Sequence, residues 1–345
     1  MRSQTLNPRE EIILTAIVED FIQTARPVAS RRVKVLSQMS VSSATIRQTM
    51  AKLERSGHLS HPHTSAGRVP TDKGYRAYVD DLMPTSPLET EASTLIQHWL
   101  EEVSGDVDSL LQLVSHIIAR LTGSIGVALA PVNTAVRLQG INLLSADGDR
   151  VLMILETDSR ELRTVAIPTE KSMTDQQLIT VEDILRERLC GLTFEEIQAT
   201  AGDRLVGTLA DDIGLFGYIL EHAGELFYGP ADRLLYSHGL NRILQLPDFF
   251  NHANVAKLAG LIEDMDRLRS LVETRSAAGK PVVTIGAEHE DDLLDMLAVI
   301  RRGYYVGRNF GTLAVLAPKR VDYAHVCAVL DYLSTRMPEL LRIEG

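Results

Sequence analysis

The chain is 345 residues long, and 45% of its residues are hydrophobic and 23% charged. These values predict a globular protein of two or three domains and exclude a disordered or low-complexity chain. Because the sequence has no apolar run that could cross a bilayer and no apolar signal core near its first residue, we expect a cytoplasmic protein that does not contact a membrane. Cys190 and Cys327 lie far apart without metal-binding spacing, so reduced thiols are expected.

The net charge of −11 is distributed unevenly. Residues 26–78 contain ten Lys and Arg residues but two acidic ones, which gives this segment a charge of +8 and leaves −19 on the remainder. A basic segment on an acidic body is typical of a protein that binds nucleic-acid phosphate with one part while the other part is repelled from it. The alternative is a chance cluster of charges on a solvated face.

The first predicted helix has a strong start signal. Asn7 has the N-cap position, Pro8 takes the first helical position, and Glu10 completes a capping box. Apolar residues at four-residue spacing form its buried stripe, namely Ile13, Ile17 and Phe21. The helix is expected to end near Thr24, because Pro27 cannot continue it and disfavours helical geometry at the preceding residue.

Two further helices follow within the basic segment. The second helix is predicted over about residues 30–38, with Val33 and Leu36 directed inward. After a short turn, Ser42 or Ser43 caps the third helix. Two helices joined by such a turn predict a helix-turn-helix, in which the second helix of the pair enters the major groove of DNA.

The third helix is therefore predicted to read the bases. Ile46, Met50 and Leu53 fall in one buried arc at about 100° per residue, and small and cationic residues lie opposite. Early residues of such a helix contact base edges, where Gln pairs with adenine and Arg with guanine. The predicted DNA contacts here are Ser42, Ser43, Thr45, Arg47, Gln48 and Lys52. The alternative is a solvated polar helix face.

A predicted wing follows the third helix. Gly57 has the position of a helix C-cap, residues 58–60 then begin a strand, and residues 61–70 are expected to form the wing as a turn. We expect Gly67 to permit an unusual backbone angle and Arg68 to lie at the wing tip, within reach of the minor groove. The predicted DNA contacts of the wing are His63, Thr64, Ser65, Gly67 and Arg68. Its histidines have no cysteine or carboxylate at ligand spacing, so no metal site is expected.

The next helix is expected to close the amino-terminal unit. Thr71 caps it, and Tyr75, Tyr78 and Leu82 are expected to pack it back onto the first three helices. Residues 83–87 have the composition of a linker. The winged helix-turn-helix is therefore expected to end at this linker.

The remainder of the chain predicts an α+β body. After two helices, four short strands are interpreted as one antiparallel meander at residues 125–130, 136–144, 150–156 and 162–167. A mainly helical block follows, and strands return at residues 282–285 and 311–317. Between these two strands the apolar spacing over residues 293–300 predicts a helix, and a final helix is predicted over residues 322–336. Strands on both sides of a helical block indicate one α+β domain with a helical insertion.

One helix of that block carries a heptad-like stripe. Apolar residues alternate at three- and four-residue spacing at Leu258, Leu261, Met265, Leu268 and Val272. Over only two heptads, this pattern fits an ordinary core stripe and a dimer seam equally well.

We identify no motif of an enzyme. A Walker loop, a nucleophile elbow and a zinc-protease motif are absent from the sequence. Paired acids such as Asp291 and Asp292 fit helix starts or solvated faces. We therefore expect no catalytic residue, no cofactor and no metal.

Several segments resemble a known family. Residues 42–47 read SSATIR and residues 62–76 read PHTSAGRVPTDKGYR; the further matching segments are LPDF at 246–249, IGAE at 285–288, GTLAV at 311–315 and PKRVDY at 318–323. Together they resemble HrcA, the heat-inducible transcription repressor family of bacteria, over nearly the whole chain. The chain departs from the family pattern at Gln48, where Asn is usual, and at Ala317 and Val321, where Gly and Met are frequent.

The resemblance implies a protein in three parts. They are a winged helix-turn-helix at residues 1–84, a discontinuous GAF-like α+β domain at residues 88–171 and 276–345, and an inserted, mainly helical dimerisation domain at residues 172–275. It also implies a homodimer that binds an inverted-repeat operator in double-stranded DNA before chaperone genes, and a GroEL-type chaperonin that keeps the repressor active.

Three hypotheses for function remain. The first is a repressor of heat-shock genes, whose dimer would set two recognition helices about one helical turn of DNA, or a multiple of it, apart and block the polymerase. The second is a winged-helix and GAF-like regulator gated by a small molecule, although the predicted strands contain no convergent polar or charged cluster. The third is an enzyme fused to a DNA-binding unit, which the missing phosphate loop disfavours.

Overall fold

The computed structural model describes residues 6–62, 67–84, 87–101, 107–132, 136–146, 150–158, 162–169, 173–205, 215–227, 234–273, 279–289, 294–307 and 309–341. Over these ranges the fold is mixed α+β. The chain divides into two compact units. The first comprises Met1–Leu129, Leu235–Tyr304 and Thr312–Gly345, and the second comprises Ala130–Leu234 and Tyr305–Gly311.

In chain order the helices are α1 (Pro8–Thr24), α2 (Ser30–Ser37), α3 (Ser43–Arg55), α4 (Asp72–Ala77), α5 (Thr90–Glu101), α6 (Val107–Thr122), α7 (Asp175–Leu189), α8 (Phe194–Leu205), α9 (Leu215–Glu221), α10 (Ala223–Leu226), α11 (Leu240–Ile243), α12 (His252–Glu263), α13 (Met265–Val272) and α14 (Tyr323–Leu340). The strands are β1 (Leu59–Ser60), β2 (Val69–Pro70), β3 (Ile125–Val132), β4 (Leu138–Ala146), β5 (Arg150–Thr157), β6 (Leu162–Pro168), β7 (Leu235–His238), β8 (Val282–Ile285), β9 (Leu297–Val306) and β10 (Asn309–Pro318). In the part of the chain that is described, no helix has the length and apolarity that spanning a bilayer requires.

The predicted boundaries of the first three helices are confirmed. Asn7 and Glu10 form the capping box of α1, which ends at Thr24. The side chain of Ser42 accepts a hydrogen bond from the N–H of Thr45 and thereby caps α3. Gly57, just past α3, has φ +80°, a conformation that glycine adopts without strain.

One shared apolar core holds these three helices together. Ile13 and Ile17 of α1 are fully buried, as are Val33 of α2 and Ile46 of α3, and Met50 and Leu53 continue the same buried face. Full burial of such a side chain contributes about 1.5–3 kcal/mol relative to exposure. The inward direction predicted for Leu36 is wrong, because α2 packs through Val33 and leaves Leu36 36% exposed.

A short antiparallel hairpin follows α3. Leu59 pairs with Pro70 and Ser60 with Val69. Arg68, the residue just before β2, forms an isolated β-bridge with Val28, which precedes α2. Gly67 lies so close to the backbone of Val28 that a Cβ atom would overlap it, so this position requires glycine for space.

The body of the first unit is built on a five-stranded sheet in the order β7-β3-β10-β9-β8. Its core includes four residues of the predicted heptad stripe, Leu258, Leu261, Leu268 and Val272. Asp264 caps α13 and separates it from α12, and Met265 is 44% exposed. The stripe is therefore a core stripe of two helices, which excludes its interpretation as a dimer seam.

The helix predicted over residues 293–300 is wrong, because residues 294–296 form a turn and the rest of this range is a strand; residue 293 lies outside the described residues. Leu297 begins β9, in which Val299 and Ile300 pair with Thr284 and Val283 of β8. Both residues are fully buried. A strand covered on both faces has a continuous apolar sequence, which periodicity does not distinguish from a buried helix.

The second unit contains a three-stranded antiparallel sheet, β4-β5-β6. Residues of this sheet share one apolar core with α7, α8 and α9. The predicted four-stranded meander is thus wrong in its first member, because β3 pairs with β7 in the other sheet.

The compact units also differ from the expected domain boundaries. We expected β4–β6 in the GAF-like domain and α12 and α13 in the insertion, but the units place them the other way round. The reason is the distribution of apolar surface. The buried face of β4–β6 packs with α7–α9, whereas α12 and α13 pack with the five-stranded sheet.

Candidate nucleic-acid interface

The outward face of α3 brings together the residues predicted to read bases. Ser42, Arg47 and Gln48 are exposed, whereas Ser43 and Thr45 are half-buried. The hydroxyl groups of Ser42 and Thr45 lie 2.9 Å apart at the start of the helix. This face is directed outward because the opposite face of α3 is buried against α1 and α2.

Arg47 and Gln48 are available to a partner molecule. Neither side chain makes a hydrogen bond or an ion pair with any other residue in the ranges described. Four exposed cations of the same helical module also have no ion pair within those ranges: Arg26, Arg31, Lys34 and Arg55. The module therefore presents uncompensated positive charge to solvent.

Lys52, in contrast, is paired within the protein. Its ammonium lies 2.5 Å from the carboxylate of Glu10 on α1, whose side chain is only 7% exposed. The hydrogen bond and charge of Lys52 are the main cause that lowers the pKa of Glu10, although burial opposes it. The cation predicted to meet DNA at this position is thus paired with a carboxylate of α1, although 60% of its side chain is exposed.

Arg68 is also paired. Its backbone bridges to Val28 on the loop side of the β1–β2 pairing, and its guanidinium lies 2.7 Å from a carboxylate oxygen of Glu54 on α3. His61 hydrogen-bonds to the other oxygen of Glu54. Burial would raise the pKa of Glu54, but the hydrogen bond from His61 and the charge of Arg68 outweigh it and lower the pKa.

The remaining wing predictions divide by position. Gly67 lies against the backbone of Val28 and does not have the unusual backbone angle that was expected of it. His63, Thr64 and Ser65 lie outside the described residues. Sequence reasoning missed the two carboxylates, Glu10 and Glu54, because no local spacing links either of them to the cation that it binds. No group of three or more metal-ligating side chains comes together in the described ranges.

Helix α4 fastens the helical module to the body of the first unit. Tyr75 is buried, and its ring centroid lies 6.0 Å from that of Tyr323 on α14, so this residue also contacts the body of the unit. Asp72 forms an ion pair with Lys319 at 2.6 Å and accepts a hydrogen bond from the N–H of Ala287. Tyr78 reaches back toward Glu19 of α1.

Arg76 completes this attachment. Its guanidinium forms an ion pair with Glu288, donates to the carbonyl of Val283 at 2.7 Å, and contacts Asp80 at 3.1 Å. Burial opposes ionisation of Glu288, but Arg76 and the N–H of Ile285 outweigh it and lower the pKa of this carboxyl. The module is thus positioned by charged hydrogen bonds, which are stronger and more directional than neutral ones. A small helical module with a cationic helix face, joined to a larger α+β body, is typical of a transcription regulator that binds DNA.

The chain belongs to the HrcA family, since a family model described as the HrcA protein C-terminal domain matches residues 108–327. A protein named heat-inducible transcription repressor HrcA from Chlorobium chlorochromatii is 34% identical, and the alignment covers 100% of both chains. A relative of the same name from Chlorobium phaeobacteroides is 32% identical over 97% of each chain. A crystal structure of a hypothetical protein is similar with a TM-score of 0.56 and 26% identity, over 97% of this chain and 98% of that one.

We predict that Arg76 is coupled more strongly to Glu288 than to Asp80. Glu288 is 34% exposed and Asp80 52% exposed. Double-mutant cycles of Arg76→Gln with Glu288→Gln are expected to give a coupling energy of about 1 kcal/mol, whereas cycles with Asp80→Asn should give about 0.3–0.5 kcal/mol, as for an exposed pair one helical turn apart. Urea unfolding of the full chain measures both, and equal coupling energies would contradict this account of the attachment.

Proposed function

We propose that the protein is a heat-inducible transcription repressor that binds, as a homodimer, an inverted-repeat operator in double-stranded DNA. The observation that carries the proposal is the outward face of α3, where Arg47 and Gln48 are exposed and have no partner in the described ranges. The names of the relatives, at 34% and 32% identity over nearly full length, support the regulatory role. The protein would act in the cytoplasm, on the chromosome, without catalysis.

In this proposal the protein has three functional parts. Helices α1–α3 with the β1–β2 hairpin are the winged helix-turn-helix. The five-stranded sheet and the helices packed on it are the GAF-like domain. The second compact unit, over residues 130–234, is the inserted dimerisation domain, a range that replaces the boundaries expected from the sequence.

The recognition helix would be α3. Ala44 on its outward face is exposed and small, which lets the helix approach the floor of the major groove. Arg47 can donate two parallel hydrogen bonds to a guanine edge, and Gln48 can pair with an adenine edge. Arg31 and Lys34 of α2 would then contact phosphate, which positions the helix but does not read sequence.

Replacing Arg47 or Gln48 with Ala should weaken operator binding by about 1–3 kcal/mol and relax base preference at one position of each half-site. Arg188→Ala is the matched control, because it removes an exposed arginine from α7 of the other unit. Footprinting on DNA upstream of the host's chaperone genes, followed by titration with altered half-sites, measures both effects. Base preference that survives both substitutions would exclude α3 as the reading helix.

The ion pair between Arg68 and Glu54 modifies the expected role of the wing. When Arg68 contacts a phosphate, its guanidinium either leaves Glu54 or keeps the ion pair with Glu54 beside the DNA. Either way the carboxylate of Glu54 lies 2.7 Å from this guanidinium and opposes the attraction of phosphate. Glu54 would therefore lower affinity for any DNA sequence.

We predict opposite effects of two substitutions at this pair. Glu54→Gln removes the opposing charge and should raise affinity about two- to fivefold, the magnitude typical of a partly exposed ion pair. Arg68→Ala should weaken binding and reduce the slope of log affinity against log salt by about one unit.

Titrations at several salt concentrations measure these effects, and Arg188→Ala again serves as the control. If Arg68→Ala leaves both affinity and slope unchanged, the wing does not contact DNA. If Glu54→Gln weakens binding, the carboxylate supports the DNA-bound conformation and does not oppose it.

A surface in the second unit fits the proposed dimer. One face of the β4-β5-β6 sheet is covered by helices, but its other face carries apolar residues across adjacent strands. Leu144 pairs with Leu152, which in turn pairs with Ala166, and Leu144 and Leu162 are 51% and 70% exposed. An uncovered face of an antiparallel sheet is usually polar. A second copy of the chain, related by a two-fold axis that matches the inverted repeat, would bury this face.

Leu162→Glu should therefore convert the dimer to a monomer and weaken operator binding. Ile179→Glu is the matched control, since Ile179 is a comparably exposed apolar residue, 52% exposed, on α7. Light scattering coupled to size-exclusion chromatography measures the mass of each variant. A Leu162→Glu variant that stays dimeric at low micromolar concentration would exclude this sheet face.

Heat sensitivity follows from stability in this proposal. Folded proteins are stable by only about 5–15 kcal/mol, so modest heating can change the fraction of folded repressor. A GroEL-type chaperonin would restore that fraction, and its diversion to other clients would release repression. Operator binding measured with and without chaperonin across a temperature series tests this role of the chaperonin. If chaperonin leaves operator binding unchanged at every temperature, the role is wrong.

A further inference from the structure

Two acidic residues are buried in the part of the chain that is described, and both lie on α1. The side chains of Glu10 and Asp20 are each 7% exposed. Helix geometry places these residues about 15 Å apart along the axis of α1 and about 80° apart around it. They therefore point in different directions from a helix that packs against both α2 and α3.

Glu10 connects α1 to α3. Its Oε2 accepts a hydrogen bond from the N–H of Asn7 at 3.1 Å, which closes the capping box, and its Oε1 lies 2.5 Å from the ammonium of Lys52. A capping box needs only one of these oxygens, and glutamine serves it as glutamate does. The second oxygen and the negative charge of Glu10 therefore act on α3.

Asp20 connects α1 to α2. Its Oδ1 accepts hydrogen bonds from Nε and Nη2 of Arg32, at 3.0 and 2.8 Å. Helix α2 has only eight residues, of which Val33 is buried. One apolar contact keeps the helix on the core but does not fix its tilt, because hydrophobic attraction has no direction. The planar guanidinium of Arg32 does have direction, so the ion pair with Asp20 sets how α2 lies on α1.

Stability alone does not account for these two ion pairs. Removing a carboxylate from water costs about as much as its attraction to a cation contributes, so apolar side chains of similar size would stabilise the module equally well. Apolar side chains do not supply the fixed geometry of a charged hydrogen bond. The cations stay accessible, since Lys52 is 60% and Arg32 53% exposed, so each pair has its buried carboxylate on α1 and its exposed cation on the helix-turn-helix.

We propose that Glu10 and Asp20 are positioning residues for DNA recognition, which hold α3 and α2 at one angle through Lys52 and Arg32. The inference rests on the proposed function, because it concerns how α3 meets the base edges of the operator. Base readout depends on hydrogen bonds of fixed geometry, whereas attraction to phosphate tolerates a shift of the helix. Loosening of α2 or α3 should therefore reduce discrimination between DNA sequences without reducing the attraction to DNA in general.

Glu10→Gln and Asp20→Asn test this role, because each removes one buried charge with little change in the shape of the side chain, and glutamine keeps the capping box. The affinities of the full-length protein for the footprinted operator and for random-sequence duplex of the same length, at one salt concentration, give a specificity ratio. Each variant should lower this ratio about tenfold, roughly the discrimination that one base pair supplies. Affinity for random-sequence DNA should not fall.

Glu11→Gln is the matched control. Glu11 is the next residue on α1, it is half-buried, and its carboxylate forms no ion pair in the described ranges. Its replacement removes the same charge from the same helix and should leave the specificity ratio unchanged.

A double-mutant cycle tests whether Glu10 acts through Lys52. In a Lys52→Met background, Glu10→Gln should change the specificity ratio less than about twofold, because its partner is already absent. A loss as large as that in the wild-type background would show that Glu10 acts by another route and would overturn its assignment as a positioning residue for α3.

Each other outcome overturns the proposal. Equal changes in affinity for operator and random-sequence DNA assign the carboxylates to stability or to general charge, since neither alters the ratio. An equal loss in Glu11→Gln assigns the effect to the charge of α1 as a whole. If circular dichroism finds one carboxylate variant unfolded, the other decides alone, and unfolding of both assigns Glu10 and Asp20 to stability only. A wild-type chain without preference for the operator overturns the proposed function as well, whereas a wild-type ratio in both variants overturns only this inference.

Discussion

The burial of one face of α3 is the constraint on which the rest of this structure depends. Ile46, Met50 and Leu53 are buried against α1 and α2. Rotation of α3 by one residue, about 100°, would remove these side chains from the core and bury a cation. Because that exchange is strongly unfavourable, the core fixes which side chains point outward. The surface that carries Arg47 and Gln48 is therefore set by packing beneath it, and not by contacts on the surface itself.

Ion pairs within the module then determine which of the cations near α3 keep their full charge. Of the cations near α3, Lys52 and Arg68 are held by carboxylates of the module, whereas Arg47 has no partner in the described ranges. An anion is attracted most strongly to a cation whose charge is not offset by an ion pair within the protein. Arg47 therefore keeps its full charge on the early part of α3, whereas the charges of Lys52 and Arg68 are offset by carboxylates of the module.

Sequence predicted this structure well where the cause is local. The capping box at Asn7 and Glu10, the cap at Ser42 and the glycine at residue 57 each depend on atoms within a few residues. It failed where the cause is distant. Glu54 and Arg68 are 14 residues apart and Arg76 and Glu288 are 212 apart, and no spacing rule connects them. The strand at β9 was missed for the related reason that burial on both faces removes the polar alternation that distinguishes a strand.

Glu288 links two parts of the molecule that the sequence keeps separate. Its carboxylate binds Arg76, which fastens α4 and hence the helical module, and it accepts a hydrogen bond from the N–H of Ile285 at 2.8 Å. Burial opposes ionisation of this carboxyl, so the loss of Arg76 would leave a partly buried charge without its main counter-charge. Attachment of the module and ionisation of Glu288 are therefore coupled, and by thermodynamic linkage each must alter the other.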